Sequence, residues 1–168
     1  CKDREGGIWI GSYFGGVNYY PRFYTYFEKY YPKGTDNGLH GKRVREFCQD
    51  NQGILWIGTE DGGLNRFNPK TKTFSFFTPS NAFTNVHGLC LIDNYLWVGT
   101  FSKGVKVVDT HTGAIVKTYQ KTDSPRSLID NSVFSICRTT TGDIYLGTLF
   151  GLLRYNCLLY TSDAADDR

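Results

Sequence analysis

Asp50-Asn51-Gln52-Gly53-Ile54-Leu55-Trp56-Ile57-Gly58-Thr59 decides the fold, because its second half is written three more times along the chain. Ile8-Trp9-Ile10-Gly11-Ser12, Leu96-Trp97-Val98-Gly99-Thr100 and Ile144-Tyr145-Leu146-Gly147-Thr148 repeat it, with the aromatic residues 47, 41 and 48 positions apart. Self-similarity at a period of roughly 40 to 50 residues, in units that alternate like strands, is the range of β-propeller blades.

Each repeat breaks into strands. In the second, Val44 to Gln49 is apolar-rich and Asp50-Asn51-Gln52-Gly53 supplies turn residues that reverse it. Ile54 to Thr59 is apolar on both faces, as expected of a sheet sandwiched between two others. Gly62-Gly63 turns the chain into Leu64 to Asn68, and Asn68-Pro69 ends that strand before the outermost one, Thr73 to Thr78. Ile8 to Ser12, Gly16 to Tyr20 and Phe23 to Phe27 form the last three strands of a first blade. Val86 to Asp93, Tyr95 to Thr100, Gly104 to Asp109 and Ala114 to Tyr119 form a third. Val133 to Arg138, Asp143 to Thr148 and Gly151 to Asn156 begin a fourth. The expectation is an all-β, partial β-propeller of about four blades of four-stranded antiparallel sheet, the first and last incomplete, over residues 1–156. Each tryptophan is placed where neighbouring blades meet, and the glycine two residues on (Gly11, Gly58, Gly99, Gly147) leaves room for the neighbour.

Composition agrees with a packed domain. The 168 residues are 40% apolar and 16% aromatic, enough core-forming material for one ordinary domain. No run of 18 apolar residues occurs and no basic, apolar leader opens the chain. The chain has no Met and starts inside a repeat, Asp3 standing before Trp9 as Asp50 stands before Trp56, so it reads as an internal fragment. Cys157 to Arg168 breaks the fourth repeat where a turn and an outer strand should follow Asn156. Those twelve residues resemble the translation of a sequencing-library adapter, so 157–168 is read as an artefactual, disordered tail. The formal charge of +3 is mildly basic, with Lys and Arg scattered, which does not favour nucleic acid.

Cysteine spacing follows the repeat. Val44-x-x-Phe47-Cys48, Val86-x-x-Leu89-Cys90 and Val133-x-x-Ile136-Cys137 share one pattern, and Cys1 falls at the same position. One position seen four times, separated by a blade thickness of about 10 Å, forms neither a disulfide nor a metal site. Small apolar residues buried between blades are expected instead.

The formula Asp-x-x-Gly-x-(Ile/Leu)-Trp-(Ile/Val)-Gly-Thr-x-x-Gly-Gly-(Leu/Val)-x-x-(Phe/Tyr)-Asn, fitted by Asp50 to Asn68, resembles the two-component regulator propeller repeat. Ser127-Leu128-Ile129-Asp130-Asn131-Ser132-Val133 is similar to that family's entry into an inner strand. The third copy departs, losing two residues in the Asp93 to Trp97 turn and carrying Ser102-Lys103 before a single Gly104. The fourth carries Thr139-Thr140-Thr141 at its turn. The resemblance implies the periplasmic sensor region of a hybrid histidine kinase and response regulator of the Bacteroidetes type, detecting glycan fragments and regulating transcription by phosphorelay. It also implies a homodimer in the full receptor, an oligosaccharide ligand, and membrane contact only through parts outside this chain.

Motifs of catalysis are not found. No Gly-x-Ser-x-Gly, Walker loop or His-Glu-x-x-His occurs, and His40, His87 and His111 lack the helical context of a phosphoacceptor. Asp109-Thr110-His111-Thr112-Gly113 is read as a hairpin turn and Glu60-Asp61 as a solvated loop pair, although paired carboxylates serve glycoside hydrolysis. No catalytic residue, metal or cofactor is assigned. Propeller loops between second and third strands share a face with the blade connections, and here they carry Tyr13-Phe14, Glu60-Asp61, Phe101 to Lys103 and Leu149-Phe150. Aromatic faces beside polar groups suit sugar rings, so Tyr13, Phe14, Glu60, Asp61, Phe101, Lys103 and Phe150 are the candidate ligand residues. The alternatives are a propeller of a secreted carbohydrate-active enzyme, or a protein-binding scaffold or sensor with another output such as a diguanylate cyclase.

Overall fold

The computed structural model describes residues 1–13, 16–22, 27–35, 37–77 and 80–156. The chain divides into two compact units, Cys1–Tyr30 and Tyr31–Arg168. In the first, β1 (Ile8–Ser12) and β2 (Gly16–Tyr20) form an antiparallel hairpin with Trp9 opposite Tyr19. The expected strand Phe23 to Phe27 falls mostly outside the described residues, as does the tail from 157.

The second unit holds three successive propeller blades. One is a meander of β3 (Val44–Gln49), β4 (Leu55–Thr59), β5 (Gly63–Asn68) and β6 (Thr73–Phe76). The next is β7 (Val86–Ile92), β8 (Tyr95–Thr100), β9 (Val105–Asp109) and β10 (Ile115–Tyr119). A third has β11 (Val133–Arg138), β12 (Ile144–Thr148) and β13 (Gly151–Tyr155). All pairings are antiparallel between sequence neighbours, and a short 3-10 turn, Ser80–Phe83, joins the first two sheets. The inner strands β3, β7 and β11 pack side by side.

Two apolar clusters lie between these sheets. Trp56 is 0% exposed among Leu64, Phe83, Val86, Leu89 and Leu96, so the first sheet meets the second through its indole. Burying about 150–250 Å² at ~25 cal/mol per Å² makes this side chain worth on the order of 5 kcal/mol of transfer free energy. Trp97, 6% exposed, repeats the contact between the second and third sheets with Val133, Ile136 and Leu146, stacking on Tyr119 and meeting Tyr155 edge-on. The glycine follows the same logic. A Cβ on Gly58 would stand 2.5 Å from Val86 Cγ1, and one on Gly99 would stand 2.8 Å from the Val133 carbonyl.

At the chain's ends the repeat behaves differently. Trp9 is 42% exposed; among the described residues Tyr19 packs against its ring and Asp3 accepts from its indole N–H. A Cβ on Gly11 would meet nothing within 4 Å, and one on Gly147 would press on Ser135 of its own sheet, so neither glycine makes way for a neighbouring blade. Tyr145 is only half-buried. Among the cysteines, Cys48 and Cys90 are half-buried, and burial pushes both thiols up. Cys1 and Cys137 are exposed, against the expectation of burial, because a thiol at this repeat position is covered where it packs on an inter-sheet cluster, as Cys48 and Cys90 do.

Hydrogen bonds repeat as faithfully as strands. Asp50 Oδ1 accepts the Gln52 and Ile54 amides while Oδ2 accepts from the Trp56 indole. Asp3 does the same for Glu5, Gly7 and Trp9. The turn is closed by Gly53 at φ 82°, a left-handed conformation that costs glycine little. In the shorter third copy a two-residue Asp93-Asn94 turn replaces it, with Asp93 at φ 56°. Across this end Asn51 donates to Asp93 O and Asn94 Oδ1, and Arg138 pairs with Asp93, so the turns of three sheets are tied in sequence.

Candidate ligand site at the bulged ends of the inner strands

At the opposite end each inner strand begins with the same irregularity. Val44 faces Thr59 and Glu46 faces Gly58; Val86 faces Thr100 and Gly88 faces Gly99; Val133 faces Thr148 and Ser135 faces Gly147. One residue is extra in each, and these are Arg45, His87 and Phe134. A bulge re-aims the side chain it carries and is enriched beside functional sites. Three sheets thus present a cation, an imidazole and a phenyl ring at one repeat position, next to the loops that follow β4 and β8.

Those loops are fixed by the threonine that ends each second strand. Thr59 Oγ1 donates to Gly63 O and accepts the Gly62 amide; Thr100 Oγ1 donates to Gly104 O and accepts the Lys103 amide. Glu60 N donates to Arg43 O and Phe101 N donates to Asn85 O, which sets both loops against the blade connections. Ser132 Oγ donates to Phe101 O at 2.6 Å, holding that loop to the following sheet.

Glu60 pairs with Arg43 at 3.5 Å and Arg45 at 3.3 Å. Beside them the His87 ring meets Phe134 edge-on at 5.1 Å and lies 6.1 Å from Phe101, with Phe101 and Phe134 6.2 Å apart. Burial, then the Arg45 charge, holds His87 below the usual histidine range, and Glu60 opposes them. His87 Nε2 and Asn85 Oδ1 are buried and have no hydrogen-bond partner among the described residues. At its surface the cluster offers aromatic edges and two guanidinium groups, a combination suited to a polar ligand with an apolar ring face. Among the described residues no group of three His, Cys, Asp or Glu is placed to hold a metal ion.

Of the residues expected from sequence, Glu60 and Phe101 both lie near His87, Glu60 through its charge and Phe101 through its ring, and Phe101 is 44% exposed. Asp61 spends its carboxylate on the Arg43 and Lys42 amides, which in that order hold its pKa below the ordinary carboxylate range. Glu60 and Asp61 are thus separately engaged and do not act as a carboxylate pair. The Lys103 amide is spent on Thr100, and its carbonyl accepts from Gln120. Phe150 stands 72% exposed with no ring partner among the described residues, Tyr13 belongs to the first unit, and Phe14 lies outside the described residues. Sequence reasoning missed Arg45, His87 and Phe134. The available signal was internal: the valine before each is repeated, while the residue itself changes from Arg to His to Phe.

The sheets, their order and the tryptophan contacts define a partial β-propeller. Residues 38–61 match the family model described as Two component regulator propeller. Among solved structures, the chain is similar to the extracellular domain of the hybrid two component system BT3049 from B. thetaiotaomicron. The identity is 26% with a TM-score of 0.64, over 92% of this chain and 20% of that one. It is similar also to the extracellular domain of the hybrid two component system BT4673 from the same organism, at 25% identity and a TM-score of 0.64 over 93% of this chain and 19% of that one. The WD40 β-propeller domain of Doa1, at 16% identity and a TM-score of 0.57 over 89% of this chain and 46% of that one, shares the fold. No curated protein sequence matches the chain. The chain is homologous to extracellular domains of hybrid two component systems and spans about a fifth of their length.

Proposed function

We propose that this chain is part of the ligand-sensing ectodomain of a hybrid two component receptor, lies on the periplasmic side of an inner membrane, and is itself non-enzymatic. The observation that carries the reading is the bulge set Arg45, His87 and Phe134, which turns an otherwise structural repeat into a chemically varied surface. The ligand class that fits is an oligosaccharide fragment. A sugar ring lays C–H faces on Phe101 and Phe134, and its hydroxyls or a carboxylate bond the exposed Arg43 and Arg45 guanidinium groups. Such binding acts on a kinase only through unequal affinity for two arrangements of the receptor, for which a homodimer supplies the geometry, with phosphorelay to transcription as the output.

The test is calorimetric titration of the receptor ectodomain with neutral and uronate-bearing oligosaccharides, repeated on Phe101→Ala and His87→Ala. Saturable binding that weakens by tenfold or more in both variants supports the reading. Binding that neither variant changes moves the ligand elsewhere, and no binding of either class overturns the assignment.

A further inference from the structure

The Arg43 and Arg45 guanidinium groups straddle one carboxylate, with Arg43 Nη1 at 3.5 Å from Glu60 Oε1 and Arg45 Nη2 at 3.3 Å from Glu60 Oε2. Charge-assisted hydrogen bonds of this kind run to about 2.7–2.9 Å, so Glu60 spans the two cations without bonding closely to either. Both guanidinium groups reach solvent, at 69% and 46% side-chain exposure, and each turns a single nitrogen towards Glu60. Exposed pairs hold weakly, because water competes for both partners.

The other carboxylates nearby are engaged with the backbone. Asp61 Oδ1 accepts the Arg43 and Lys42 amides, and Glu46, next to Arg45 on β3, accepts the Phe47 amide. At His87 the Arg45 charge outweighs that of Glu60, so the field on that side of the cluster is positive. His87 in turn meets the Phe134 ring at 5.1 Å and the Phe101 ring at 6.1 Å. Positive charge and apolar rings therefore converge on one imidazole. A uronic acid carries the matching pair, a carboxylate on the same ring that offers a C–H face.

We infer that this site selects uronate-bearing oligosaccharides and that Glu60 is its internal competitor: a ligand carboxylate replaces that of Glu60 between Arg43 and Arg45 while the sugar ring lies on Phe101 and Phe134. The inference rests on the sensing role proposed above and adds the charge of the ligand and the residues that read it. A guanidinium fork matches a carboxylate through two parallel N–H···O bonds. Glu60, whose own amide is tied to the Arg43 carbonyl, gives each cation one long contact instead. A ligand carboxylate is under no such tether, and Glu60 turns towards solvent to admit it.

The test titrates the receptor ectodomain with tetragalacturonate and with a glucuronate-containing tetrasaccharide, each beside its own methyl ester, which keeps the sugar faces and removes the charge. Tetra-aspartate supplies charge without a sugar ring. The expected result is that at least one acid binds about tenfold or more tighter than its ester, the scale of one charge-assisted bond, while tetra-aspartate does not bind. Arg45→Gln should erase that gap and Glu60→Gln should widen it. Equal binding of acid and ester, still weakened by Phe101→Ala, would overturn the charge selection and leave the sensing role standing; no binding of any of the sugars would overturn both. A gap that Arg45→Gln leaves intact, a gap that Glu60→Gln narrows, or tetra-aspartate binding as tightly as the acids would each overturn the proposal as well.

Discussion

The Trp56 indole donates to Asp50 Oδ2 at 2.8 Å, and the other oxygen of that carboxylate holds the turn six residues upstream. One side chain thereby fixes both the β3–β4 reversal and the orientation of the largest core residue. The same bond joins Asp3 to Trp9 at 3.0 Å, where both partners are far more exposed. Removing the carboxylate at Asp50 leaves a buried N–H and two turn amides unpaired, which costs about 2–3 kcal/mol. Asp50→Ala should lower the urea midpoint accordingly, and Asp3→Ala should lower it less, since water replaces its bonds. Equal losses would mean that burial does not distinguish the two turns.

The glycines give an independent measure of where blades touch. Gly99→Ala forces a methyl group against the Val133 carbonyl, a backbone atom that cannot swing aside, and Gly58→Ala presses on the Val86 side chain. Overpacking of this kind costs about 1–3 kcal/mol. Gly11→Ala enters open space and should be neutral or slightly stabilising. Thermal or chemical melts of the three variants decide it, and a neutral Gly99→Ala would show that the second and third sheets do not approach as closely as here.

Much of this architecture was legible because a repeat reports each position several times. The tryptophan, the glycine and the strand order came from comparing Asp50–Thr59 with its copies. The Asp-to-indole bond was also written there, as the shared six-residue interval from Asp3 to Trp9 and Asp50 to Trp56, but a turn residue and an anchor look alike in sequence. The bulges at Arg45, His87 and Phe134 were hidden for another reason. A bulge is a mismatch between two strands, and neither strand alone carries it. Loop residues such as Phe150 looked equivalent to Phe101 by position, yet only Phe101 meets rings from two inner strands, because those rings come from bulges.

His87 makes the stability of the bulge region depend on pH. Its folded pKa lies below the ordinary value of 6.5, burial being the leading cause and Arg45 the next. A depressed histidine contributes stability that is fully present above about pH 6.5 and is lost as pH falls through its folded pKa. The unfolding midpoint should therefore drop on going from pH 7.5 towards pH 5, and His87→Gln should remove that component of the drop. A variant that keeps the whole pH dependence would assign it to other groups.

The cluster also predicts how its charges speak to one another. Arg45 pushes the His87 pKa down and Glu60 pushes it up, while Glu60 itself is bound to Arg43 and Arg45. Glu60→Gln removes the raising influence and frees both guanidinium groups, so the His87 pKa should fall further; Arg45→Gln should raise it. Both pairs are partly solvent-exposed, and exposed ion pairs contribute about 0–1 kcal/mol, so global stability should scarcely change in either variant. Imidazole chemical shifts followed by NMR through a pH titration read the two effects separately. Opposite displacements in the two variants, with unchanged melts, are what neighbouring groups at one mouth must give; displacements of the same sign, or none, would mean that Arg45, Glu60 and His87 do not share a site.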